Sequence, residues 1–208
     1  MIQPLVTLKN EHVVLRPMAE SDLDAFARIA YDAGIWKYFV ADAGTEEGLR
    51  VFVDAALKEH GGGTRVPFTI VDAASGAVVG STSYGSISER DRRVEIGWSW
   101  LGREAQGKAL NTNAKYLLLA HAFEVLEYER VEFKTDVLNL RARAALKKIG
   151  AAEEGVLRSH TLMPGGRRRD TIYYSVLRPE WPEVQARLRA LGAAPVQPDA
   201  GSATSAAA

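Results

Sequence analysis

Three β-rich runs, residues 66–71, 77–84 and 92–101, follow one another with only short polar turns between them. The chain then switches to alternating helix and strand. Strands joined by tight turns pair antiparallel, whereas strands separated by a helix pair in parallel through a crossover. Residues 113–127 predict a long helix with Ala114, Leu117, Leu118, Ala122, Val125 and Leu126 inward. A strand (130–137), a helix (140–149), a strand (154–161), a Pro164-Gly-Gly turn and a last strand (170–177) follow. Upstream, residues 12–16 form a strand, and Ser21 or Asp22 caps a helix carrying Leu23, Phe26, Ala27 and Ala30. Thr45 opens a second helix, with Leu49, Phe52, Val53, Ala56 and Leu57 on one face, that Gly61–Gly63 stops. Residues 180–191 close the pattern as a short helix with Trp181, Val184, Leu188 and Leu191 near helical spacing. The order β-α-α-β-β-β-α-β-α-β-β predicts an α/β or α+β three-layer domain. Its mixed central sheet would have about six or seven strands, flanked by helices.

The chain has 208 residues, enough for one domain and a tail. Residues 193–208 are rich in Ala, Pro, Ser and Gly and have little to bury, so they read as a disordered tail behind a single domain at 1–192. The 26 Lys and Arg balance 26 Asp and Glu, which argues against a general electrostatic grip on nucleic acid or an anionic membrane. Without Cys there is no disulfide framework, thiolate metal site or cysteine nucleophile, and the four His have no zinc-binding spacing. No apolar run approaches the roughly 18 residues of a membrane span, and the N-terminus has no signal-peptide pattern. A soluble, cytoplasmic protein without metal is expected.

The stretch from Arg92 to Glu124 carries the chemistry. A strand ends near Leu101, a loop with Gly102 and Gly107 follows, and a helix begins near Leu110. Unpaired backbone N–H groups and the helix dipole make such a junction an anion site. The plain alternative is a strand–loop–helix connection with no ligand. The loop lacks the Walker Lys-Ser/Thr and the full G-x-G-x-x-G, which argues against nucleoside triphosphatase and dinucleotide readings.

The run Glu104-Ala-Gln-Gly107-Lys-Ala109 resembles the acyl-CoA pyrophosphate motif Q/R-x-x-G-x-G/A of the GNAT superfamily of N-acetyltransferases. Val94-Glu-Ile-Gly-Trp98 before it and the stretch from Ala114 to Glu124 after it fit the same pattern. So do Asn139, Ala142, Ala145-Leu146, Ile149-Gly150-Ala151 and the run from Glu154 to Arg158. The ending Tyr173-Tyr-Ser-Val-Leu followed by Glu180-Trp181 is similar to the Rim-type branch, whose members acetylate N-terminal amines of ribosomal proteins. The resemblance spans about residues 13–181. Glu104 departs from the usual Gln or Arg, and Ala109 takes the second Gly position.

The resemblance implies that acetyl-CoA lies against the strand end, Trp100 and Leu101, and the loop residues Gln106, Gly107, Lys108, Ala109, Leu110 and Asn111. Backbone amides from Gln106 to Asn111 would hold the pyrophosphate. Asn139 would bond the pantetheine or pyrophosphate arm, cap the following helix, or do both. Arg141, Arg143 and Lys108 would meet the ribose phosphate or simply face solvent. Glu95 stands where many members carry the carboxylate that takes the amine proton; otherwise it is a surface residue paired with Arg92 or Arg93. By strand alternation Arg93, Glu95 and Gly97 share one face, and Val94, Ile96 and Trp98 the other. The family's usual general-acid positions hold Leu146 and Ala142, so no acid is assigned; Tyr173 and Tyr174 read first as packed residues. Trp36, Tyr38 and Phe39 are candidates for an acceptor pocket or for core, and His121 reads as partly buried structure. Arg167-Arg-Arg169 sits at a hairpin tip and reads first as a solvated turn, with contact to ribosomal RNA or an acidic peptide as the alternative.

The implied activity is direct transfer from acetyl-CoA to a primary amine, first of all a protein N-terminal α-amine. Small-molecule amine acceptors and a non-catalytic acyl-CoA-binding regulator are the rivals. The expected partners are acetyl-CoA and the amine, first of all a ribosomal-protein N-terminus, with a homodimer open and neither membrane nor nucleic acid expected.

Overall fold

A computed structural model describes residues 6–197. The elements in chain order are β1 (Leu8–Lys9), β2 (Val13–Pro17), α1 (Leu23–Ala30), α2 (Ala33–Trp36), α3 (Glu46–Gly61), β3 (Arg65–Asp72), β4 (Val78–Ser88), β5 (Arg93–Leu101), α4 (Leu110–Ala120), β6 (Arg130–Asp136), α5 (Leu140–Ile149), β7 (Ala152–Leu162), β8 (Arg168–Leu177) and α6 (Trp181–Ala190). The eight strands form one sheet in the order β1-β2-β3-β4-β5-β6-β8-β7, one more than the sequence order contains. All neighbours pair antiparallel except β5 and β6, which are parallel because α4 carries the chain between them.

Each face of the sheet has its own apolar layer. Val13, Leu15, Phe68, Ile70, Val94, Ile96, Val131, Phe133, Ile172 and Val176 pack against α4, α5 and α6. On the other face Phe26, Trp36, Leu49, Phe52 and Val53, from α1 to α3, pack around Trp100. Among the described residues no helix is long and apolar enough to cross a membrane.

Local sequence explains most boundaries. Thr45 Oγ1 accepts from the Gly48 amide and starts α3. Asn139 Oδ1 accepts from the Ala142 amide and starts α5; Gly150, at φ 96°, ends it. Asp22 precedes α1, but its carboxylate does not cap that helix. It is buried and takes hydrogen bonds from the Ala19 amide, Thr69 Oγ1 and Arg16.

Three expectations are corrected. The helix expected over 113–127 starts at Leu110, where the loop reading places it, but it does not run on regularly to residue 127, because residues His121–Val125 form a π-turn. The wider turn shifts the phase, so Val125 is 61% exposed instead of inward. Trp98 also leaves its expected face. Ser81 pairs with Trp100 and Ser83 with Gly97, so β5 holds one extra residue, and Trp98 adopts φ 52°. This bulge turns Trp98 onto the α1–α3 face, over Gly85, where a Cβ would lie 2.3 Å from its ring.

The third concerns the start of the expected tail. Ala193 and Ala194 are buried. The Ala194 amide donates to Asn113 Oδ1 (2.9 Å), and Asn10 Nδ2 donates to the Ala194 carbonyl (3.1 Å) and to Asn113 Oδ1 (2.9 Å). The Gln197 amide donates to the Lys9 carbonyl (2.8 Å). Two buried asparagines hold this segment through its backbone, which apolar content does not reveal. The rest of the expected tail, residues 198–208, lies outside the described residues.

Ending the chain at Gly192 removes three hydrogen bonds, those of Ala194 with Asn10 Nδ2 and Asn113 Oδ1 and that of Gln197 with the Lys9 carbonyl, at about 0.5–1.5 kcal/mol each. The melting temperature is expected to fall by roughly 5–10 °C, at about 2–4 °C per kcal/mol for this size. A chain ending at Gln197 keeps these bonds and is the control in the same calorimetric scan. Equal melting of the two would contradict the docking.

Candidate active site

The sheet opens where its parallel pair ends. The β5–β6 ladder pairs Arg93 with Arg130, Val94 with Val131 and Glu95 with Glu132, then stops. Yet β5 runs on to Leu101 and β6 to Asp136. From Ile96 onward β5 has no ladder partner on its β6 side among the described residues, and the Trp98 bulge falls in this stretch. The strands therefore part in the middle of the sheet, leaving edges that an extended amide chain can pair with.

At the end of this opening lies the loop from β5 to α4. Gln106 braces it, donating from Nε2 to the Leu101 carbonyl (2.8 Å) and accepting at Oε1 from Arg141 (2.6 Å). Gly107 has φ 79°, and a Cβ there would meet nothing within 4 Å. Helix α4 has no side-chain cap at Ala109, so its first amides are left for a ligand or solvent. A cleft of about 210 Å³ opens here, lined by Gly107, Lys108, Asn111, Lys115, Lys148 and Leu191 among others. Lys115 Nζ donates to Asn111 Oδ1 (2.8 Å), and burial lowers the Lys115 ammonium to about 8. Uncapped amides, three lysines and an open glycine fit the diphosphate of acyl-CoA.

Sequence-derived candidates divide accordingly. Gly107, Lys108, Ala109 and Asn111 line the cleft. Leu110 and Leu101 are buried in the core. The Trp100 side chain packs between Phe26 and Trp36, leaving its backbone as the part beside the opening. Asn139 and Arg143 do not line the cleft. Asn139 caps α5, and Arg143 donates to the Val137 carbonyl (3.0 Å) and Tyr174 Oη (3.3 Å).

Glu95 is neither a surface residue nor paired with Arg92 or Arg93. It is 4% exposed, and its Oε2 accepts from Ser86 Oγ and Lys134 Nζ, each at 2.8 Å. Oε1 lies beside Gly97, where a Cβ would approach to 2.8 Å, so the glycine keeps that oxygen approachable. Strand register places Glu95, Glu132, Lys134 and Asp136 on the α1–α3 face with Thr171 and Tyr173. Arg65 joins them from β3, its guanidinium stacked 4.4 Å from the Trp98 ring centroid.

Tyr174 is fully buried and donates to Glu153 Oε2 (3.0 Å), as its packed reading expects. Trp36 is core. Burial lowers His121 to about 4, and its ring stacks on Tyr84, which makes it a neutral structural residue near pH 7. Sequence reasoning missed Lys115, Lys134 and Arg65, as well as Lys148 on α5. The first follows Asn111 at i+4 on a helix face and the second alternates with Glu132 and Asp136, so local signals existed; Arg65 gave none. Among the described residues, no three His, Asp or Glu side chains are grouped to hold a metal ion.

Comparison with known proteins gives the same architecture. Residues 12–152 match the family described as acetyltransferase (GNAT) domain. The Bacillus subtilis protein named "Putative ribosomal N-acetyltransferase YdaF" is 28% identical over 83% of this chain and 94% of its own length. A solved structure of a "putative acetyltransferase" from T. thermophilus is 40% identical, with a TM-score of 0.83 over 92% of this chain and 100% of its own. Mycobacterium smegmatis RimJ in complex with CoA-disulfide shares the fold at 24% identity, with a TM-score of 0.76 over 91% of this chain and 95% of its own.

Proposed function

The chain belongs to the GNAT acetyltransferase family and is an N-acetyltransferase, and on that premise we propose that it transfers acetyl from acetyl-CoA directly to the α-amine of a protein N-terminus, of the ribosomal-protein type. The observation that carries the reading is the opening between β5 and β6, with a lysine-lined cleft at the α4 end and Glu95 beside the parting strands. The α4 N-terminus, Lys108, Lys115 and Lys148 would hold the diphosphate. The unpaired edges of β5 and β6 would bond the pantetheine amides and direct the thioester toward Glu95. The name of the Bacillus subtilis relative and the Rim-like C-terminal segment support a ribosomal-protein N-terminus.

In the transfer, the amine nitrogen bonds the acetyl carbon, the carbon–sulfur bond breaks, and the amine gives up a proton. Glu95 takes that proton at Oε1, directly or through one water, while Ser86 and Lys134 hold Oε2. The chain contains no Cys, so acetyl has no thiol on the protein to rest on, in keeping with transfer within a ternary complex.

Thiol release measured with acetyl-CoA and a panel of free-amine peptides, polyamines and amino acids tests the assignment. Turnover with peptides is expected. Turnover confined to metabolites would replace the acceptor, and no turnover despite acetyl-CoA binding would indicate a regulator.

The cleft chemistry gives a pH prediction. Lys115 is cationic below about 8 and loses its charge as pH rises through that value. Acetyl-CoA affinity is therefore expected to fall from pH 7 to 9, and binding near pH 8 to take up protons. A charge-assisted bond contributes about 1.5–3 kcal/mol, so Lys115→Met should weaken binding by roughly tenfold or more and flatten the profile. Calorimetry in buffers of different ionisation enthalpy checks both; an unchanged profile in the variant would contradict the role of Lys115.

A further inference from the structure

The Arg167-Arg-Arg169 triplet is not a uniform solvated tip. Arg167 pairs with the buried Asp136, and Arg168 bonds Ser159. Arg169 turns inward and is 7% exposed. Its Nε has no hydrogen-bond partner, and no carboxylate of the described residues forms an ion pair with it. One guanidinium nitrogen donates weakly to the Tyr38 carbonyl, at 3.4 Å. Nearby cations have anions of their own: Lys134 has Glu95, and Arg65 has Glu59 at 3.3 Å.

Arg169 also faces the right way. It lies two residues before Thr171, which pairs with Asp136 in β6, so it shares the sheet face of Thr171, Tyr173, Lys134 and Glu95. Its guanidinium is within electrostatic range of Asp136, Tyr173, the like-charged Arg167 and Glu95. The contact with Tyr38 brings the loop after α2 over the same face. Burying a cation without an anion or a full set of acceptors is costly, so nearly all buried charges are paired. Lys134 occupies Oε2 of Glu95, and Arg167 occupies Asp136, so neither neutralises Arg169 through an ion pair.

We propose that Arg169 binds a carboxylate carried by the acceptor, so that the substrate of this site is an amine with an acidic group beside it. The amine then sits at Glu95 and the carboxylate takes the fork of Arg169. The inference rests on the reading of this face as the acceptor side. It covers two sources of one chemistry, an Asp or Glu side chain at a peptide N-terminus and the α-carboxylate of a free amino acid.

Binding without turnover tests it separately from the acetyltransferase assignment. With coenzyme A present, calorimetry compares Asp-Ala-Ala-amide with Asn-Ala-Ala-amide, and free alanine with alaninamide. At least tenfold tighter binding of the carboxylate member is expected in one pair: the first identifies the side chain, the second the α-carboxylate. Arg169→Gln should erase that preference and leave the neutral member unchanged. Arg169→Met, which removes the charge and fills similar volume, serves if the glutamine variant does not fold. Equal affinity within both pairs, including no measurable binding, would overturn the proposal, as would a preference that survives removal of Arg169. Absence of acetyl transfer alongside a carboxylate preference would instead count against the proposed function.

Discussion

Gly107→Glu is expected to remove acetyl-CoA binding while leaving a folded protein. Gly107 adopts φ 79°, where an L residue costs about 1–2 kcal/mol. No atom lies within 4 Å of the position its Cβ would take, so no clash adds to that strain. The new carboxylate would enter a cleft lined by Lys108, Lys115 and Lys148, at an uncapped helix start. It would pair with the lysines proposed to hold the diphosphate, which offsets part of the backbone cost and competes with the ligand. The dissociation constant is expected to rise at least 100-fold, about 2.7 kcal/mol, with a melting shift of a few degrees. Gly107→Ala separates strain from charge and should weaken binding far less. Unchanged affinity in the folded glutamate variant would remove the diphosphate from this loop.

Glu95→Gln is expected to lower turnover at neutral pH by about 10²–10⁴-fold, the usual worth of a positioned proton acceptor. An α-amine has a reference pKa of about 7.7–8.0, so much of it is protonated near neutrality. Glutamine keeps the shape beside Gly97 and can still accept from Ser86, but it takes no proton. The deficit should therefore shrink as pH rises and the free amine accumulates. Lys134 loses its carboxylate, yet it is one-third exposed and can turn to solvent, so the stability cost stays well below that of a sealed pair. Acetyl-CoA affinity should hold, because Glu95 is not among the residues lining the cleft. A variant with wild-type turnover across the pH range would leave Glu95 as structure alone.

Elements with chemical punctuation were legible. Residues 140–149 carry their own N-cap, Asn139, and a left-handed stop at Gly150, and the helix runs over those residues. The loop at Gly107 was legible for the same reason, because a glycine before an uncapped helix is a local feature. Features set by other parts of the chain were not. Strand β1 is two residues long and exists through its pairing with Leu15 and Val14. The face of Trp98 depends on a bulge, and one inserted residue reverses every later position in a strand. The docking of Ala194 depends on Asn10 and Asn113, more than 80 residues away. The charges around Glu95 come from β3, β6 and β8, and only the sheet order brings them together. Glu95 is singled out through the family resemblance of its strand, but its pairing with Lys134 cannot be read from that strand.

The most direct test of N-terminal acetyl transfer is to incubate the protein with acetyl-CoA and a peptide that has a free N-terminus and an internal lysine, then locate the modification by fragment mass spectrometry. One acetyl group on the α-amine, with one equivalent of free thiol, is the predicted result. Acetyl on the lysine Nζ alone, or an unmodified peptide under conditions where polyamines or amino acids are acetylated, would contradict it.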